Sequence, residues 1–240
     1  QDPPSGMLYG PNYDDNDPTK ATLLLHMPTQ GPISVVHVIG DFNNWTVSEA
    51  YKMKRSTVGD VWWLELTGLT PGQEYVYQYL VNGSVKSGDP YSDKVSDPDD
   101  QYISTARYPG LIAYPSDKTE FRATVLQTNQ TPYQWQINDF ERPELYKTNI
   151  YELLIRDFTD EGTYQGVIDR LDYIQNLGFN AIHLMPTSEF EGNESWGYNP
   201  NYYFASDKFY GPKDKLKELV DEAHKRGIAI IGDLVLNHAF

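Results

Sequence analysis

The residue types that could do chemistry gather near the end of the chain. Asp233 is followed by Asn237 and His238, so a carboxylate, an amide and an imidazole lie within one short stretch. These groups exchange hydrogen bonds with polar ligands, and carboxylate and amide oxygens also ligate hard cations. Upstream, Trp196 and Tyr198 add two aromatic rings. A hydrogen-bonded scaffold would use the same residue types, so the elements that carry them decide their meaning.

From residue 149 onward, apolar runs alternate with helical patterns. The runs at 150–155, 179–185 and 228–236 are apolar enough for parallel strands that are buried on both faces. Between them, apolar positions recur at helical spacing in 167–177 and 216–223, and a glycine follows each stripe. The order strand, helix, strand, helix, strand predicts an α/β domain with right-handed crossovers.

Two architectures repeat this unit, a dinucleotide-binding sheet and a TIM barrel. The former requires G-x-G-x-x-G directly after its first strand, but Ile155 is followed by Arg-Asp-Phe-Thr-Asp-Glu-Gly. We therefore expect the first β/α units of a TIM (β/α)8 barrel, whose catalytic groups gather at the carboxyl ends of the strands. The 233–238 segment falls at that end of the third predicted strand, and Trp196 and Tyr198 fall in the loop after the second.

The earlier part of the chain has an all-β pattern. Short runs at 21–27, 33–39, 61–66 and 75–81 are separated by turn-forming residues, and the last alternates Tyr and Val with other residues at period two. This pattern predicts a β-sandwich. We divide the chain into an all-β immunoglobulin-like sandwich, a linker with short strands, and the start of a barrel. The predicted boundaries are 1–106, 107–148 and 149–240, with a strand pair at 123–126 and 133–136 inside the linker.

Five longer motifs surround the candidate residues. They are Ile-Tyr-Glu-Leu from residue 150, Leu-Gly-Phe-Asn-Ala-Ile-His-Leu-Met-Pro from 177, Ser-Trp-Gly-Tyr-Asn-Pro from 195, Tyr-Phe-Ala from 203 and Asp-Leu-Val-Leu-Asn-His from 233. In this order and spacing they resemble the α-amylase family of glycoside hydrolases (glycoside hydrolase family 13), which is built on a TIM barrel. The resemblance implies a protein that acts on α-glucans.

The resemblance also implies roles for the matching residues. Tyr198 would stack on the sugar next to the cleaved bond, with Trp196 in the same substrate-binding loop. His238 would donate a hydrogen bond to that sugar's hydroxymethyl oxygen, and Asp233 would hold an arginine from a later strand. Both are therefore supporting catalytic residues. Asn237 matches a position that often ligates calcium, the one cofactor expected.

The two carboxyl groups of a retaining hydrolase, its nucleophile and its general acid, come from strands four and five in this family. We find no counterpart for them in the 240 residues. The chain by itself is therefore predicted to be inactive. The remainder of the barrel is expected as a continuation or as a separate fragment.

A motif in the first part carries a second resemblance. Gly-Asp-Phe-Asn-Asn-Trp from residue 40, followed by Trp62, Trp63 and Gly-Leu-Thr-Pro-Gly from 68, resembles the immunoglobulin-like starch-binding modules that precede such barrels. The resemblance makes Trp45 a candidate for stacking on glucose. The alternative is that Trp45 and either Trp62 or Trp63 fill the core of the sandwich.

Three titratable residues of the second part are given structural roles. His183 lies in mid-strand among apolar neighbours, so we expect a core histidine. Glu152 and Asp157 flank the first strand and are expected to be structural or solvated.

Charge and composition exclude several classes of function. The 19 basic residues against 34 acidic ones give a net charge of -15, which disfavours binding to nucleic acid or to anionic lipid. No apolar run approaches the roughly 18 residues of a membrane span, so membrane insertion is not expected. The absence of cysteine excludes disulfides and thiol catalysis. An aromatic content of 14% suits sugar binding, although Tyr-rich strands would account for it as well.

The leading hypothesis is an α-amylase-type hydrolase that cleaves α-1,4 bonds in starch, glycogen or maltooligosaccharides with retention. Cleavage of α-1,6 bonds is left open. A glucan branching or transferase relative and a non-catalytic glucan-binding protein are the alternatives. The polar opening at Gln1 leads us to expect a mature protein that is secreted, periplasmic or at the cell surface.

Overall fold

The structure is a computed structural model that describes residues 1–28, 32–57 and 59–240. The chain divides into two compact units, the first made of 1–100 and 112–131 and the second of 101–111 and 132–240. The segment 107–148, which the sequence predicts to be a linker, is thus shared between the two units. Among the helices described, none is long and apolar enough to span a bilayer.

The first unit contains two antiparallel sheets. Its strands are β1 (Gly10–Tyr13), β2 (Ala21–His26), β3 (Val36–Gly40), β4 (Lys54–Arg55), β5 (Val61–Leu66), β6 (Glu74–Val81), β7 (Val85–Ser87), β8 (Val95–Ser96) and β9 (Ala123–Gln127). One sheet has the order β1-β2-β5-β4, and the other has the order β3-β6-β9-β8 with β7 paired to β6. The main predicted strands are present, whereas β1, β4, β7 and β8 are too short or too polar to have been predicted.

The core of this unit lies between the two sheets. Alternate residues of β6, namely Tyr75, Tyr77, Tyr79 and Val81, all belong to it, together with residues of β2, β3 and β5. The period-two pattern therefore predicted the buried face of β6 correctly. Trp62 is also part of this core, whereas Trp45 is only half-buried.

The predicted strand pair at 123–126 and 133–136 is wrong. Strand β9 pairs instead with β6 and β8, and its Leu126 enters the sandwich core. Residues 133–136 form no strand. The carboxylate of Asp221 accepts the backbone N–H groups of Gln136 and Ile137, at 3.0 and 3.2 Å, so these groups are satisfied without a sheet partner.

A buried carboxylate packs beside the tyrosines of β6. Asp89 is fully buried and accepts hydrogen bonds from the hydroxyls of Tyr79 at 2.7 Å and Tyr77 at 3.2 Å. The backbone N–H of Tyr91 donates to its other oxygen at 2.9 Å. Burial raises the pKa of Asp89, and the donors offset only part of that rise because they favour the charged form.

The second unit follows the predicted alternation of strands and helices. Its elements are β10 (Ile150–Leu153), α1 (Ile155–Phe158), α2 (Tyr164–Ile168), α3 (Leu171–Asn176), β11 (Ala181–Leu184), β12 (Ser188–Phe190), β13 (Pro200–Ser206), α4 (Lys213–Lys225) and β14 (Ala229–Gly232). Strands β10, β11 and β14 are parallel and adjacent in that order, while β12 and β13 form an antiparallel pair. Short 3-10 helices lie at Asp41–Asn43, Glu49–Tyr51, Pro98–Tyr102, Leu145–Lys147 and Lys208–Tyr210.

The parallel sheet has two unlike faces. Leu153, Ile182 and Leu184 pack in one apolar cluster with residues of α2, α3 and α4. Alternate positions point to the other face, where Glu152 and His183 are cross-strand partners. The expectation of strands that are apolar on both faces is therefore wrong for β10 and β11, because each strand places one polar residue, Glu152 or His183, on that other face.

Removing the hydroxyl of Tyr79 tests the buried carboxylate. We expect Tyr79→Phe to lower the free energy of unfolding by about 1–3 kcal/mol, because it leaves Asp89 with one donor fewer. Because the pKa of Asp89 is higher in the folded protein than in the unfolded chain, ionising this carboxyl group costs more in the folded state. The free energy of unfolding therefore falls as the pH rises from the ordinary aspartate pKa of about 3.9 through the folded-state pKa. The loss in Tyr79→Phe should therefore be larger at alkaline than at acidic pH.

Urea unfolding across a pH series measures this effect. Tyr9→Phe, which alters a partly exposed tyrosine of the same unit, is the matched control and should change stability little. A Tyr79→Phe penalty that does not depend on pH would contradict the assignment of Asp89 as the group concerned.

Candidate functional site

The aromatic loop between β12 and β13 depends on one glycine. Gly197 has a φ of 89°, in the region that favours glycine, and a Cβ there would come within 2.7 Å of the Cβ and carbonyl oxygen of Pro186. The backbone N–H of Gly197 donates to the Ser195 hydroxyl at 3.0 Å. This turn presents Trp196 and Tyr198 on either side of the glycine, with exposed fractions of 60% and 41%.

Tyr198 meets the end of β14 through two contacts. Its hydroxyl donates to Oδ2 of Asp233 at 2.7 Å, and its carbonyl oxygen lies 2.8 Å from Nε2 of His238. The Asp233 N–H donates to the Leu184 carbonyl at 3.1 Å, which extends the pairing of β14 with β11 to the residue that carries the carboxylate. The structure therefore brings Tyr198, Asp233 and His238 together where these two strands end.

The segment that carries His238 is also attached to β13. The Tyr203 hydroxyl donates to the His238 carbonyl, and the Phe240 N–H donates to the Pro200 carbonyl at 2.9 Å. Because Nε2 of His238 faces a carbonyl oxygen, it carries the proton in the neutral ring, and Nδ1 is then an acceptor. A ligand would meet Nδ1 unless it displaced the Tyr198 carbonyl from Nε2.

The pKa of Tyr198 depends on its hydrogen-bond partner, Asp233. The hydrogen bond to Asp233 raises that pKa above its ordinary value, with smaller contributions from burial and from the negative charges of Asp233 and Glu152. An ionised carboxylate that accepts a phenol proton stabilises the neutral phenol.

His183 is not the core histidine that we expected. Its Nδ1 lies 3.6 Å from Oε1 of Glu152 and its Nε2 lies 3.7 Å from Oδ2 of Asp233, so the ring stands between two carboxylates. The alternation along β11 explains this, because Ile182 and Leu184 face the helices and His183 faces the other way. A period-two interpretation of this strand would have revealed it from the sequence.

Arg156 is a second residue that the sequence analysis missed. Its guanidinium binds the Asp157 carboxylate through two hydrogen bonds of 2.7 and 3.0 Å and donates to the Ser195 carbonyl at 3.3 Å. The last contact links α1 to the aromatic loop. Asp157, expected to be structural or solvated, is thus the exposed partner of an arginine that supports this loop.

The calcium prediction rests on Asn237, whose side chain is exposed. Within the part of the chain that the structure describes, no three His, Cys, Asp or Glu side chains lie close enough together to hold a metal ion. Calcium takes about six to eight oxygen ligands, and Asn237 supplies one. The site at Asn237 stays a prediction.

The first unit positions Trp45 by a strained turn. Asn44 and Trp45 have φ values of 52° and 58°, an unusual conformation for an aromatic residue. The Asp41 carboxylate accepts the indole N–H of Trp45 at 2.9 Å and the backbone N–H of Val76 at 2.7 Å, so it ties the ring to β6. Gly40 allows the turn, because a Cβ there would lie 2.5 Å from the Val76 carbonyl.

Family models match both parts of the chain. The model described as the catalytic domain of α-amylase matches residues 98–240, and the model of carbohydrate-binding module 48, the isoamylase N-terminal domain, matches residues 9–98. These matches confirm the predicted order of an immunoglobulin-like module followed by β/α units of a barrel.

Individual relatives agree with the models. Malto-oligosyltrehalose trehalohydrolase of Saccharolobus solfataricus is 42% identical over 44% of this chain and 19% of its own length. The 1,4-alpha-glucan branching enzyme GlgB 2 of Clostridium perfringens is 29% identical over 85% of this chain and 30% of its own. Pullulanase of Anoxybacillus sp. LM18-11, solved with maltotetraose, superposes with a TM-score of 0.68 and 24% identity over 96% of this chain and 35% of its own.

The chain therefore spans only about a fifth to a third of the length of these relatives. The superposition on pullulanase shows the fold, at an identity too low to show more.

Neutralising Asp233 should lower the pKa of Tyr198. We expect Asp233→Asn to bring that pKa back towards the ordinary tyrosine value of about 10, because the amide no longer holds the phenol proton. The measurement is NMR titration of protein labelled with ¹³C at the tyrosine Cζ, with Tyr198→Phe to assign the signal. Asp214→Asn, which neutralises an exposed carboxylate of α4, is the matched control and should leave the titration unchanged. A Tyr198 titration that is the same in Asp233→Asn as in the wild type would contradict this geometry.

Proposed function

The chain belongs to the α-amylase family, and from this premise we propose that the protein is a glycoside hydrolase that cleaves α-glucans with retention. One observation carries the proposal for this chain. Tyr198 lies in the motif that begins at residue 195, Asp233 and His238 lie in the motif that begins at 233, and the three meet at the carboxyl ends of two parallel strands. Enzymes built on β/α barrels place their substrates at that end.

Tyr198 is proposed to hold a glucose ring by stacking. Its ring is partly exposed while its hydroxyl is tied to Asp233, so the ring keeps its orientation before the ligand arrives. A pre-oriented aromatic ring loses little conformational entropy on binding, which strengthens contact with the C–H face of a sugar. Trp196, more exposed and in the same turn, would extend this surface to a neighbouring sugar.

Asp233 and His238 are proposed to support the reaction rather than to attack the substrate. The Asp233 Oδ2 already accepts the Tyr198 hydroxyl, and its remaining acceptor sites suit an arginine, which binds carboxylates through paired hydrogen bonds. His238 would bind a sugar hydroxyl, with Nδ1 as an acceptor in the tautomer whose Nε2–H donates to the Tyr198 carbonyl.

The substrate class is proposed from the relatives. A trehalohydrolase named for malto-oligosyltrehalose and a pullulanase solved with maltotetraose both point to maltooligosaccharide chains and thus to α-1,4 bonds, with α-1,6 bonds open. A second candidate is a glucan branching enzyme, because a relative with that name aligns over 85% of the chain. We also retain the prediction of a secreted, periplasmic or cell-surface location, which cell fractionation tests.

Product analysis on amylose separates these functions. The protein, expressed from its complete gene, should release new reducing ends without new branch points. Branch points that a debranching enzyme removes would identify the transferase instead. Binding of amylose with neither product would mean that the protein is a non-catalytic glucan binder and would overturn the proposal.

Removing the Tyr198 ring should weaken substrate binding. We expect Tyr198→Ala to raise KM for maltooligosaccharides by about tenfold, which corresponds to a stacking contribution of about 1.4 kcal/mol. Trp135→Ala is the matched control, since it removes a similarly exposed aromatic ring outside the site, and it should leave KM unchanged. An equal effect of the two substitutions would count against Tyr198 as a sugar-binding residue.

The first unit is proposed to bind α-glucan through Trp45. The ring is half-buried, lies outside the sandwich core and is held in a strained turn by Asp41, as expected for a residue that serves a ligand rather than packing.

Trp45→Ala should reduce retention in affinity electrophoresis on glycogen by several-fold, because it removes the stacking surface. Phe121→Ala, which removes an exposed aromatic ring from the same unit, is the control and should migrate as the wild type does. Unchanged retention of Trp45→Ala would sink this assignment, and circular dichroism of both variants excludes unfolding as the cause.

A further inference from the structure

Three polar side chains form a row across the parallel sheet. Glu152 of β10 and His183 of β11 are directly paired in register, and the next strand brings Asp233 to the other side of the histidine. The ring faces Glu152 with Nδ1 at 3.6 Å and Asp233 with Nε2 at 3.7 Å. The order across the sheet is therefore carboxylate, imidazole, carboxylate.

The row ends on the candidate sugar-binding residue. One oxygen of Asp233, Oδ2, is the atom that faces both His183 and the Tyr198 hydroxyl. Because both contacts are made by Oδ2, they determine the orientation of the Asp233 carboxylate, and Oδ1 takes part in neither contact. The negative charge of Glu152 also contributes to the raised pKa of Tyr198, so both carboxylates of the row act on this ring electrostatically.

Without the imidazole, the row would bring like charges together. Two carboxylates that share one site repel each other, and the repulsion is stronger where protein screens them from water. Asp233 is the more buried of the two, with 23% of its side chain exposed against 62% for Glu152. The orientation of the Asp233 carboxylate is therefore the more sensitive to repulsion between the two carboxylates when the imidazole is absent.

We propose that His183 is a positioning residue, whose ring separates Glu152 from Asp233 and so keeps Asp233 turned towards Tyr198. The role rests on the proposed function, because it matters for catalysis only if Tyr198 and Asp233 serve a glucan. His183 itself does not touch the substrate. Its ring nitrogens lie 3.6 and 3.7 Å from the carboxylate oxygens, which is longer than a hydrogen bond.

The test is a double-mutant cycle of His183→Leu, Glu152→Gln and the combined variant. In the protein expressed from its complete gene, His183→Leu removes the shield while keeping the volume, so we expect kcat/KM for maltooligosaccharides to fall at least tenfold. The combined variant removes the repulsion as well and should regain most of that loss. A histidine that only fills space would give a combined variant at least as impaired as His183→Leu. His183→Gln retains an N–H donor and should lie between wild type and His183→Leu.

A second readout does not depend on activity. In His183→Leu the pKa of Tyr198 should fall towards its ordinary value, because Asp233 turns away. The combined variant should regain the part of the rise that comes from Asp233, without the smaller part that comes from the charge of Glu152. The proposal would be overturned if His183→Leu had the same kcat/KM and the same Tyr198 pKa as the wild type. It would also be overturned if the combined variant recovered neither of these two quantities. If His183→Leu does not fold, the same two measurements are made on His183→Gln alone and on His183→Gln combined with Glu152→Gln. A wild-type protein that acts on no glucan would defeat the proposed function, while the titration would still decide the role of His183.

Discussion

The hydrogen bond from the Tyr198 hydroxyl to the Asp233 carboxylate is the interaction on which the rest of the site depends. It joins a loop between β12 and β13 to the residue that follows β14. The carboxylate is itself held by the backbone, because the Asp233 N–H continues the ladder with β11 through Leu184. The aromatic loop is thereby anchored to the backbone of the parallel sheet, as a precise binding surface requires.

The first unit uses the same device. The Asp41 carboxylate accepts the indole N–H of Trp45 with one oxygen and a backbone N–H of β6 with the other. In both units an aspartate therefore orients a partly exposed aromatic ring by accepting a hydrogen bond from its polar edge. A charged acceptor makes each contact stronger than a neutral one would. Each aspartate is consequently a positioning residue for the ring beside it.

Part of this arrangement was predictable from the sequence. Period-two alternation gave the buried face of β6, and apolar runs with helical stripes gave the order of β10, β11 and β14. The candidate site residues were predicted because they lie at strand ends in recognisable motifs. The row of Glu152 and His183 was missed because β11 was interpreted as a continuous apolar run, although only every second residue faces the helices.

Other features depend on contacts that no local pattern reports. The segment at 133–136 resembles a strand in composition, but it forms no sheet, and Asp221 of α4 accepts the backbone N–H groups of Gln136 and Ile137 at its end. Strand β9 looks like part of a linker until its Leu126 is seen in the sandwich core. The strain at Trp45 likewise arises from a turn closed by Asp41, a residue that sequence analysis treated only as part of a motif.

The central claim is tested most directly by measuring, with calorimetry, the affinity for maltotriose of Tyr198→Phe, Asp233→Asn and the double variant. Tyr198→Phe keeps the ring and removes only the hydroxyl that Asp233 holds. If that hydrogen bond orients the ring for the sugar, the two single losses overlap, and the double variant binds about 1 kcal/mol better than their sum predicts. Losses that add without coupling would show that Tyr198 and Asp233 serve the ligand independently, and the account would be wrong.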